Sequence, residues 1–421
     1  MKLAIIGLGY VGLPLAVAFG KRNNVVFGID LDESKIFSLR SGKSYIGDVS
    51  DADVKSLISK GFLNPTLDYS VIKEAEAVIV CVPTPLGKSR EPDISYVLNA
   101  AKEIKKYLKP GHVVILESTV YPGATEEILL PLFESSGLKC GKDFYLAFSP
   151  ERVDPGRKGF TLENTPKIVG GVNRESTEKA AGIYEKVCNH VIKVSSSRSA
   201  EMAKLLENTF RAVNIGLVNE IAQLCYEMGI NVWEVIEAAA TKPYGFMKFV
   251  PGPGIGGHCI PIDPLYLSWK AKAFRFTTRF IDLADDINQG MQKYVVSRIA
   301  DCLNMQKKAI NGSTILILGV SYKKDVADVR ETPAYEVIKL LMKKGANVLY
   351  NDPFVNRFIV ENKEFVSKKL DKNLLETSDC VVIITDHSVY DYEFIVKYSN
   401  IILDTRNATK VCKERKNVIL L

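Results

Sequence analysis

The sequence predicts an α/β protein in which two Rossmann-like, doubly wound domains are joined by a long central helix and a helical linker domain. Short apolar runs such as AVIVCV and TILILGV alternate with helical patterns near both ends of the chain, as is typical of buried parallel strands. Between these regions, residues 200 to 228 run without proline and almost without glycine until Gly229, which predicts one helix of about 30 residues.

Composition narrows the class of protein. The chain has 421 residues and a net charge of +6 without a block of like charge, which argues against nucleic acid or a membrane as a partner. The eight cysteines include no CxxC pair and the four histidines no HExxH spacing, so we expect neither disulfides nor a bound metal. We interpret the apolar start as a strand with patterned glycines rather than a signal peptide, and expect a cytoplasmic protein.

The first strand-turn-helix segment has the dinucleotide-binding pattern. Residues 2 to 6 predict a strand, GLGYVG follows at 7 to 12, a helix runs to about Arg22, and a second strand at 25 to 29 ends at Asp30. A lone GxGxxG is weak evidence, but here the preceding strand, the following helix and the acidic residue are all present. A glycine-rich turn without a ligand is the weaker explanation.

Each residue of this pattern has a physical reason to hold NAD. Gly7 allows the tight turn, Gly9 lets the backbone approach the pyrophosphate, and Gly12 lets the helix pack closely on the strand. Asp30 would accept hydrogen bonds from the ribose hydroxyls and repel a 2′-phosphate. The pattern therefore favours NAD over NADP.

Further strands of the first domain end in small polar residues. We place these strands at residues 77 to 82, 112 to 117 and 144 to 148. Ligands bind outside the carboxyl ends of strands in an open parallel sheet, so we expect Thr84, Thr119 and Glu151 to face the nicotinamide and the reacting carbon. A helix cap or a turn explains either threonine alone equally well. Arg152 is a candidate contact for phosphate or substrate.

The long helix carries a polar stripe. Lys204, Asn208 and Arg211 lie at i, i+4 and i+7 and share one side of the helix. An isolated lysine is usually solvated, but three polar groups beside a cofactor domain indicate a stripe that faces substrate. The helix would span about 45 Å, so we expect it to bridge domains or to form a homodimer interface.

The segment PGPGIGGHCIPID at residues 251 to 263 contains the candidate nucleophile, Cys259. Gly256 and Gly257 remove side chains from around the thiol, and the backbone here can approach a ligand closely. Asp263 is placed to orient or deprotonate a water or a leaving group. The alternative is that Cys259 is a small hydrophobic residue beneath a loop.

The segment YLSWK, from Tyr266 to Lys270, matches the YxxxK catalytic pair of short-chain dehydrogenases. In those enzymes the pair lies within the Rossmann domain, whereas here it follows Pro264 far outside the first predicted sheet. We therefore interpret Tyr266 and Trp269 as packing residues.

The α/β pattern restarts at Gly312 and predicts a second Rossmann-like domain. Gly319 is the only glycine in its first strand-to-helix turn, so this is not a second dinucleotide site of the same kind. Donors suited to another phosphate-bearing ligand, such as a sugar nucleotide, occur there instead: Tyr322, Lys323, Lys324 and Arg330. Arg406, after a strand ending at Asp404, is a further candidate contact.

With these motifs assembled, the chain resembles the UDP-glucose/GDP-mannose dehydrogenase family over its whole length. The matching segments are GLGYVGLP, CVPTPL, ESTVYPG, FSPERVDPG, AEMAKLLENTFRAVNIGLVNE, PGPGIGGHCIPIDP and YKKDVADVRETPA. The resemblance implies that C6 of a nucleotide sugar is oxidised from alcohol to carboxylate with two NAD molecules in succession. It implies an NAD-binding domain at 1–196, a central helical dimerisation domain with the cysteine loop at 197–305, and a UDP-sugar-binding domain at 306–421.

The resemblance also implies roles for individual residues. The catalytic set is Cys259 as nucleophile, Lys204 and Asp263 as acid/base and water-activating groups, Asn208 as a donor to the oxyanion, and Glu151 and Thr119 as partners for water and hydroxyl. NAD would contact Tyr10, Val11, Asp30, Thr84, Thr119 and Arg330. The UDP-sugar would contact Arg152, Val153, Lys204, Asn208, Arg211, Gly256, Lys323 and Arg406. A thiolate suits this chemistry, because hydride leaves an aldehyde to give an acid only from a tetrahedral adduct.

Two departures from the UDP-glucose members narrow the implied substrate. Their GGSC is GGHC here, and the lysine that they place before the catalytic aspartate is Ile262. The first departure resembles the subgroup acting on UDP-N-acetylglucosamine, in which His258 would accommodate the acetamido group. UDP-N-acetylmannosamine is the alternative within the family. Outside it, a single-oxidation hydroxyacid dehydrogenase would have no use for Cys259, and an NAD-sensing protein would have no use for the second phosphate-binding domain.

Overall fold

The computed structural model describes residues 1–87, 89–153 and 159–421. Residues 154 to 156, at the end of the FSPERVDPG segment, lie outside the described residues. The described chain forms two compact units. Unit 1 comprises Met1–Glu207 with Leu265–Phe276, and unit 2 comprises Asn208–Pro264 with Thr277–Leu421.

Unit 1 is built on a mostly parallel sheet. Its strands are β1 Lys2–Ile6, β2 Val25–Ile29, β3 Leu63–Thr66, β4 Ala77–Val80, β5 Val113–Leu116, β6 Tyr145–Phe148, β7 Lys167–Gly171 and β8 Val191–Lys193. They pair in the order β3-β2-β1-β4-β5-β6-β7-β8, and only the β6 and β7 pair is antiparallel among these described strands. The order from β3 to β6 is that of a dinucleotide-binding fold, which confirms the predicted Rossmann-like domain.

The α-helices before residue 190 belong to unit 1, and the second, third and sixth of them begin at a capping side chain. They are α1 Gly12–Lys21, α2 Glu33–Arg40, α3 Asp51–Ser59, α4 Ser95–Tyr107, α5 Leu130–Glu134 and α6 Arg174–Tyr184. The side chains of Asp32, Ser50 and Asn173 each accept a hydrogen bond from a backbone N–H in the first turn of the helix that follows. Such bonds satisfy donors that a helix start leaves without a partner.

Two long helices and two shorter ones follow. They are α7 Ser197–Glu227, α8 Val232–Ala240, α9 Asp263–Lys272 and α10 Arg279–Met305. Helix α7 confirms the predicted long helix, and Gly229 follows its end with a φ of +69°, a left-handed conformation that glycine adopts at little cost. The second long helix, α10, lies within the helical domain predicted at 197–305, but its bounds were not predicted. None of the helices in the described ranges is long and apolar enough to cross a membrane.

Unit 2 contains a second parallel sheet. Its strands are β9 Thr314–Leu318, β10 Asn347–Asn351, β11 Arg357–Val360, β12 Lys363–Val366, β13 Cys380–Ile383, β14 Ile402–Asp404 and β15 Val418–Leu420, and its further helices are α11 Pro333–Lys343, α12 Lys372–Thr377 and α13 Tyr392–Tyr398. The sheet order is β10-β9-β13-β14-β15, and β11 and β12 form an antiparallel hairpin. The second predicted Rossmann-like domain is therefore confirmed.

Each unit has its own apolar core. In unit 1, Leu3 and Ile5 of β1 pack with Leu13 and Phe19 of α1, and all four are fully buried. In unit 2, α10 presents buried side chains at helical spacing, including Met291, Val295 and Ile299, to the core of the second sheet. Helix α10 thus belongs to the core of the second Rossmann-like region.

Candidate active site

The turn between β1 and α1 has a shape that fits a dinucleotide. A Cβ atom placed on Gly12 would lie 1.8 Å from the carbonyl oxygen of Gly7, so only glycine allows this helix start. A Cβ atom on Gly9 would meet no described atom within 4 Å. The backbone at Gly9 is therefore accessible to a phosphate at the N-terminus of α1, as the sequence predicts. Tyr10 and Val11 lie in the same turn, and Tyr10 is exposed.

Asp30 follows β2 and its carboxylate is held in place by backbone bonds. Its Oδ2 accepts from the N–H of Leu8 at 2.8 Å and its Oδ1 from the N–H of Asp32 at 3.0 Å. Lys35 Nζ lies 3.2 Å from Oδ2. A carboxylate has about four acceptor positions, so Asp30 can still accept from ribose hydroxyls.

Unit 1 brings the three predicted strand-end residues to neighbouring strands. Thr84 follows β4, Thr119 follows β5 and Glu151 follows β6, and these strands are adjacent in the sheet. Thr84 is buried, while Thr119 and Glu151 are partly buried. Their positions match the ligand-binding edge of a parallel sheet.

The YxxxK pair is used for packing. Tyr266 is fully buried, and its hydroxyl donates to the carbonyl oxygens of Thr84 and Pro85, each at 3.0 Å. Lys270 Nζ lies 2.6 Å from Glu127 Oε2. The tyrosine and lysine therefore contact protein groups rather than acting as a proton-transfer pair.

Both carboxylate oxygens of Glu151 have bonding partners within unit 1. Its Oε1 accepts from the N–H groups of Arg152 at 2.8 Å and Val153 at 2.5 Å, and its Oε2 lies 3.2 Å from Lys167 Nζ. Burial alone would raise the pKa of Glu151, but the charge of Lys167 and the N–H of Val153 outweigh it, so the pKa lies below its usual value. Lys204 Nζ donates to the backbone oxygen of Glu151 at 2.7 Å, which brings these two predicted catalytic residues together.

The guanidinium of Arg152 bonds to protein groups of unit 1. It lies 2.7 Å from the carboxylate of Glu207 and donates to the carbonyl oxygen of Pro166 at 2.6 Å. The predicted contact with a substrate phosphate would have to compete with these bonds.

In unit 2, Cys259 is exposed at the start of the turn that leads into α9. Its carbonyl oxygen accepts from the N–H groups of Ile262 at 3.1 Å and Asp263 at 2.8 Å. The loop before it is anchored from two sides, because Gly252 N–H donates to Asn219 Oδ1 at 2.9 Å and Gly257 N–H donates to the carbonyl oxygen of Arg330 at 3.0 Å. The predicted nucleophile therefore lies on an ordered segment.

The glycines of this loop are explained by contacts within the protein. Gly257 has a φ of +88°, and a Cβ atom there would lie 2.8 Å from the ring of Tyr322. A Cβ atom on Gly256 would lie 2.7 Å from Tyr322 Cβ. The approach of a ligand to these glycines stays a prediction, and the contacts that the structure shows are with Tyr322 of the second Rossmann-like region.

Asn208 and Asp263 form a buried pair. Asn208 Nδ2 donates to Asp263 Oδ2 at 2.5 Å, and Asn208 is 6 % exposed and Asp263 3 %. The amide therefore fixes the orientation of the carboxylate that sequence analysis assigned to water activation. Arg211, further along α7, is exposed, so the predicted polar stripe has members in different environments.

The cations predicted for the sugar nucleotide lie around the second sheet. The guanidinium of Arg330 bonds to Asp328 at 2.6 Å, and Arg406 Nε donates to the carbonyl oxygen of Ile384 at 2.9 Å. Lys323 is partly buried. Burial, and then the charge of Arg330, lower the pKa of His258, so this ring is neutral at pH 7 and suited to hydrogen bonding.

Two residues that position the candidate catalytic groups, Lys167 and Asn219, were not predicted from the sequence. Lys167 contacts Glu151 and Glu117 from β7, and Asn219 anchors the cysteine loop. Lys167 gave a usable signal, because a lysine that begins the apolar strand KIVGG must find a buried partner. In the described ranges, no group of three or more His, Cys, Asp or Glu side chains is arranged to hold a metal ion.

The glycine turn, the aspartate after β2 and the ionised Glu151 define unit 1 as the cofactor-binding part of an NAD-linked oxidoreductase. Comparison with known proteins identifies the family: the chain belongs to the UDP-glucose/GDP-mannose dehydrogenases. The NAD-binding domain of that family matches residues 1–188, the central domain 198–290 and the UDP-binding domain 316–411. The enzyme is therefore an NAD-dependent nucleotide-sugar dehydrogenase, as the sequence predicts.

Relatives of this chain differ in the sugar that their names carry. It is 38% identical to UDP-N-acetyl-D-glucosamine 6-dehydrogenase of Pseudomonas aeruginosa, over 85% of this chain and 83% of the relative. It is 36% identical to UDP-N-acetyl-D-mannosamine dehydrogenase of Methanococcus maripaludis, over 96% of this chain and 92% of the relative. The solved structure of the UDP-D-ManNAc dehydrogenase of Pyrococcus horikoshii matches with a TM-score of 0.90 at 33% identity, covering 100% of this chain and 98% of that one.

Proposed function

We propose that this enzyme oxidises C6 of UDP-N-acetylglucosamine to the uronate in a four-electron reaction, with Cys259 as the nucleophile. One observation carries the proposal: the exposed thiol begins the turn into α9, while Asp263, four residues later, is buried and oriented by Asn208. The GGHC sequence around the thiol and the Pseudomonas aeruginosa relative support the N-acetylglucosamine substrate.

The first oxidation needs a base and an ordered water. Glu151 is ionised, and together with Thr119 it would hold the water that receives the proton of the C6 hydroxyl. NAD, when bound, accepts one hydride from C6 in each of the two oxidations. Arg211, Lys323 and Arg406 would hold the UDP-sugar, with Gly256, Val153 and Arg152 at its contact surface, and Arg330 would contact NAD.

The second oxidation proceeds through a covalent adduct. The thiolate of Cys259 adds to the C6 aldehyde, a carbon–sulfur bond forms, and the carbonyl electron pair moves to oxygen to give a thiohemiacetal. Lys204 and Asn208 would stabilise the negative oxygen. Loss of hydride then leaves a thioester on Cys259.

Hydrolysis of the thioester completes the reaction. A water activated at Asp263 adds to the carbonyl carbon, the carbon–sulfur bond breaks, and the sulfur leaves as a thiolate. The hydrogen bond from Asn208 directs one carboxylate oxygen of Asp263, which leaves the carboxylate in a single orientation for this step. His258, neutral at pH 7, would hydrogen-bond the acetamido group.

The experiment measures NADH formed per sugar consumed with UDP-N-acetylglucosamine, UDP-N-acetylmannosamine and UDP-glucose. We expect two NADH per UDP-N-acetylglucosamine, and at least a thousandfold loss of uronate formation in Cys259→Ala, because no thioester can form. Cys140→Ala is the matched control, since Cys140 is a partly buried thiol beside Ser176 that has no proposed role in the reaction. One NADH per sugar, or full turnover in Cys259→Ala, would contradict the thioester pathway.

UDP-N-acetylmannosamine is the second candidate substrate. The Methanococcus maripaludis relative and the Pyrococcus horikoshii structure both carry that sugar in their names, at 36% and 33% identity. The same substrate panel separates the candidates, because the preferred sugar has the higher kcat/KM. A preference for the mannosamine sugar would leave the roles of Cys259 and Asp263 intact and change the substrate alone.

We also propose that the enzyme is a cytoplasmic homodimer that pairs through α7. Phe210, Leu217 and Leu224 are 45%, 52% and 53% exposed and recur at heptad spacing on the part of α7 in unit 2. A second copy of the same helix would cover such an apolar stripe. Light scattering tests this: Leu217→Lys should give a monomer, and a wild-type mass of one chain would contradict the proposal.

A further inference from the structure

Lys167 is a charged residue placed where an apolar one is usual. It begins β7, and its side chain is 2% exposed. Its Nζ lies 3.1 Å from Glu117 Oε1 and 3.2 Å from Glu151 Oε2, over the ring of Tyr184 at 5.0 Å from the centroid. Because a buried ammonium group is costly without partners, these two carboxylates account for its presence in the sheet.

Glu117 is the second carboxyl group that contacts Lys167. It follows β5, is fully buried at its side chain, and its Oε1 accepts from both Lys167 and the hydroxyl of Tyr184. Its Oε2 has no hydrogen-bond partner among the described residues. Glu117 and Tyr184 therefore both contact the lysine, and they also bond to each other.

We propose that Lys167 is a positioning residue that holds the carboxylate of Glu151 in one orientation and in its ionised form, with Glu117 and Tyr184 as its supports. The inference rests on the proposed function, which gives Glu151 its role in ordering water. It extends that function to three residues outside the predicted catalytic set.

The two carboxylate oxygens of Glu151 have different bonding partners. Backbone N–H groups bond to Oε1 and Lys167 bonds to Oε2. Removal of Lys167 therefore leaves Oε2 without this partner and lets the carboxylate turn. The charged and titratable groups that face this carboxylate are Lys167 on β7, Lys204 on α7, Glu117 after β5, and Cys81 and Cys188 further away. Without Lys167, Glu151 would be buried beside another carboxylate, and its charged form would be disfavoured.

The test compares Lys167→Met with Lys167→Arg. In Lys167→Met we expect the acid limb of the kcat/KM profile to move to higher pH by about one unit or more, because an attractive charge near 3 Å is lost. Lys167→Arg keeps the charge and should return the limb most of the way to the wild-type position. A purely structural lysine would lower the melting temperature in both variants without moving the limb, and that result would overturn the proposal.

A second measurement follows Glu151 without using turnover. Infrared difference spectra between high and low pH report protonation of a carboxyl group, and the band lost in Glu151→Gln is assigned to Glu151. We expect that band to titrate at higher pH in Lys167→Met than in the wild type, even if the enzyme oxidises none of the sugars tested. An unchanged titration would overturn the inference, whereas absent turnover with a shifted band would overturn only the proposed function.

Glu117→Gln provides the test if Lys167→Met does not fold. This variant keeps Lys167 and an oxygen that can still accept from its Nζ and from Tyr184, so the support is retained, but no second carboxyl group competes with Glu151 for the charge of Lys167. The Glu151 band and the acid limb should stay at the wild-type pH or move below it. A move to higher pH would overturn the proposal.

Discussion

Each Rossmann-like region has an aspartate directly after its second strand, but the two aspartates have different hydrogen-bond donors. Asp30 follows β2 in unit 1, and Asp352 follows β10 in unit 2. The donors to Asp30 are the N–H groups of Leu8 and Asp32 and the Nζ of Lys35. The donors to Asp352 are the N–H groups of Val320, Ser321, Phe354 and Val355, with the ring of His387 at 3.1 Å.

The difference indicates that Asp352 stabilises its own turn, whereas Asp30 keeps the capacity to bind a ligand. Backbone donors reach both oxygens of Asp352, and the fully buried ring of His387 adds a further contact, so this carboxylate holds the second turn together. Asp30 is held at fewer points and keeps acceptor capacity for a ribose. The presence of a Rossmann-like sheet therefore does not by itself indicate a dinucleotide site.

The largest effect expected from this comparison is on stability. Asp352→Ala should lower the free energy of unfolding by about 3–5 kcal/mol, because it strands His387 and several backbone donors away from water. The matched variant Asp30→Ala should cost only about 1–2 kcal/mol, since it removes two backbone hydrogen bonds. Chemical denaturation measures both, and equal losses would mean that the two aspartates have the same role.

The next effect is on NAD binding. Asp30→Ala should raise the Kd for NAD by roughly 10–100-fold, as expected for losing hydrogen bonds to a charged group. Asp352→Asn is the control and should leave this Kd within about twofold, because its carboxylate bonds inside unit 2. Fluorescence titration of the free enzyme measures both constants. Tight NAD binding by Asp30→Ala would show that the ribose is held elsewhere.

The glycine turn gives a smaller and more local contrast. Gly12→Ala places a methyl group against the Gly7 carbonyl and should destabilise the protein by about 1–3 kcal/mol. Gly9→Ala meets no described atom and should change stability by less than about 0.5 kcal/mol, while it weakens NAD binding through contact with the phosphate. Melting curves with and without NAD separate these cases, and normal NAD binding by Gly9→Ala would place the phosphate away from this residue.

Low pH should reduce the contribution of Asp352 to the free energy of unfolding. Burial alone would raise the pKa of Asp352, but the bond from His387 and the N–H groups of Phe354 and Val320 lower it below its usual value. Its stabilising contribution is present above the unfolded pKa of about 3.9 and is lost as pH falls through the folded pKa. The stability difference between wild type and Asp352→Asn should therefore shrink below about pH 4. A constant difference from pH 7 to pH 2 would exclude this contribution.

The smallest effect concerns Lys35, whose side chain is one-third exposed. Its ion pair with Asp30 is partly screened by water, so Lys35→Met should change the free energy of unfolding by about 0–1 kcal/mol. NAD affinity should change only a few-fold. Calorimetry measures both, and a loss as large as that of Asp30→Ala would mean that the lysine, rather than the aspartate, holds the cofactor.

The parts of the fold that depend on local pattern were predictable. The strands at 2–6 and 25–29 and the end of α7 near Gly229 follow from apolar runs, glycine spacing and the absence of proline. Element ends differ by a few residues, as for β4, which ends at Val80 rather than 82. The bounds of helix α10 were not predicted, although its buried residues at 3.6-residue spacing gave a signal.

The sequence could name Cys259 and Asp30 as candidates because their residue types limit the chemistry, and their roles stay predictions. The contacts that hold these residues join distant parts of the chain, and a single sequence does not reveal such pairings. Lys167 meets Glu117 across 50 positions, and Asn219 meets Gly252 across 33. The sequence likewise did not reveal that Tyr322 lies against Gly256 and Gly257 of the cysteine loop.

The packing of the cysteine loop limits which segments of this enzyme can be exchanged with those of a relative in a chimera. Gly252 has Arg406 against it and Gly257 has Tyr322, so the loop is shaped to the second Rossmann-like region of the same unit. A chimera that exchanged only residues 306–421 would bring foreign side chains against a loop fitted to other ones. An exchange of the C-terminal region would thus require residues 251–263 to be exchanged together with it.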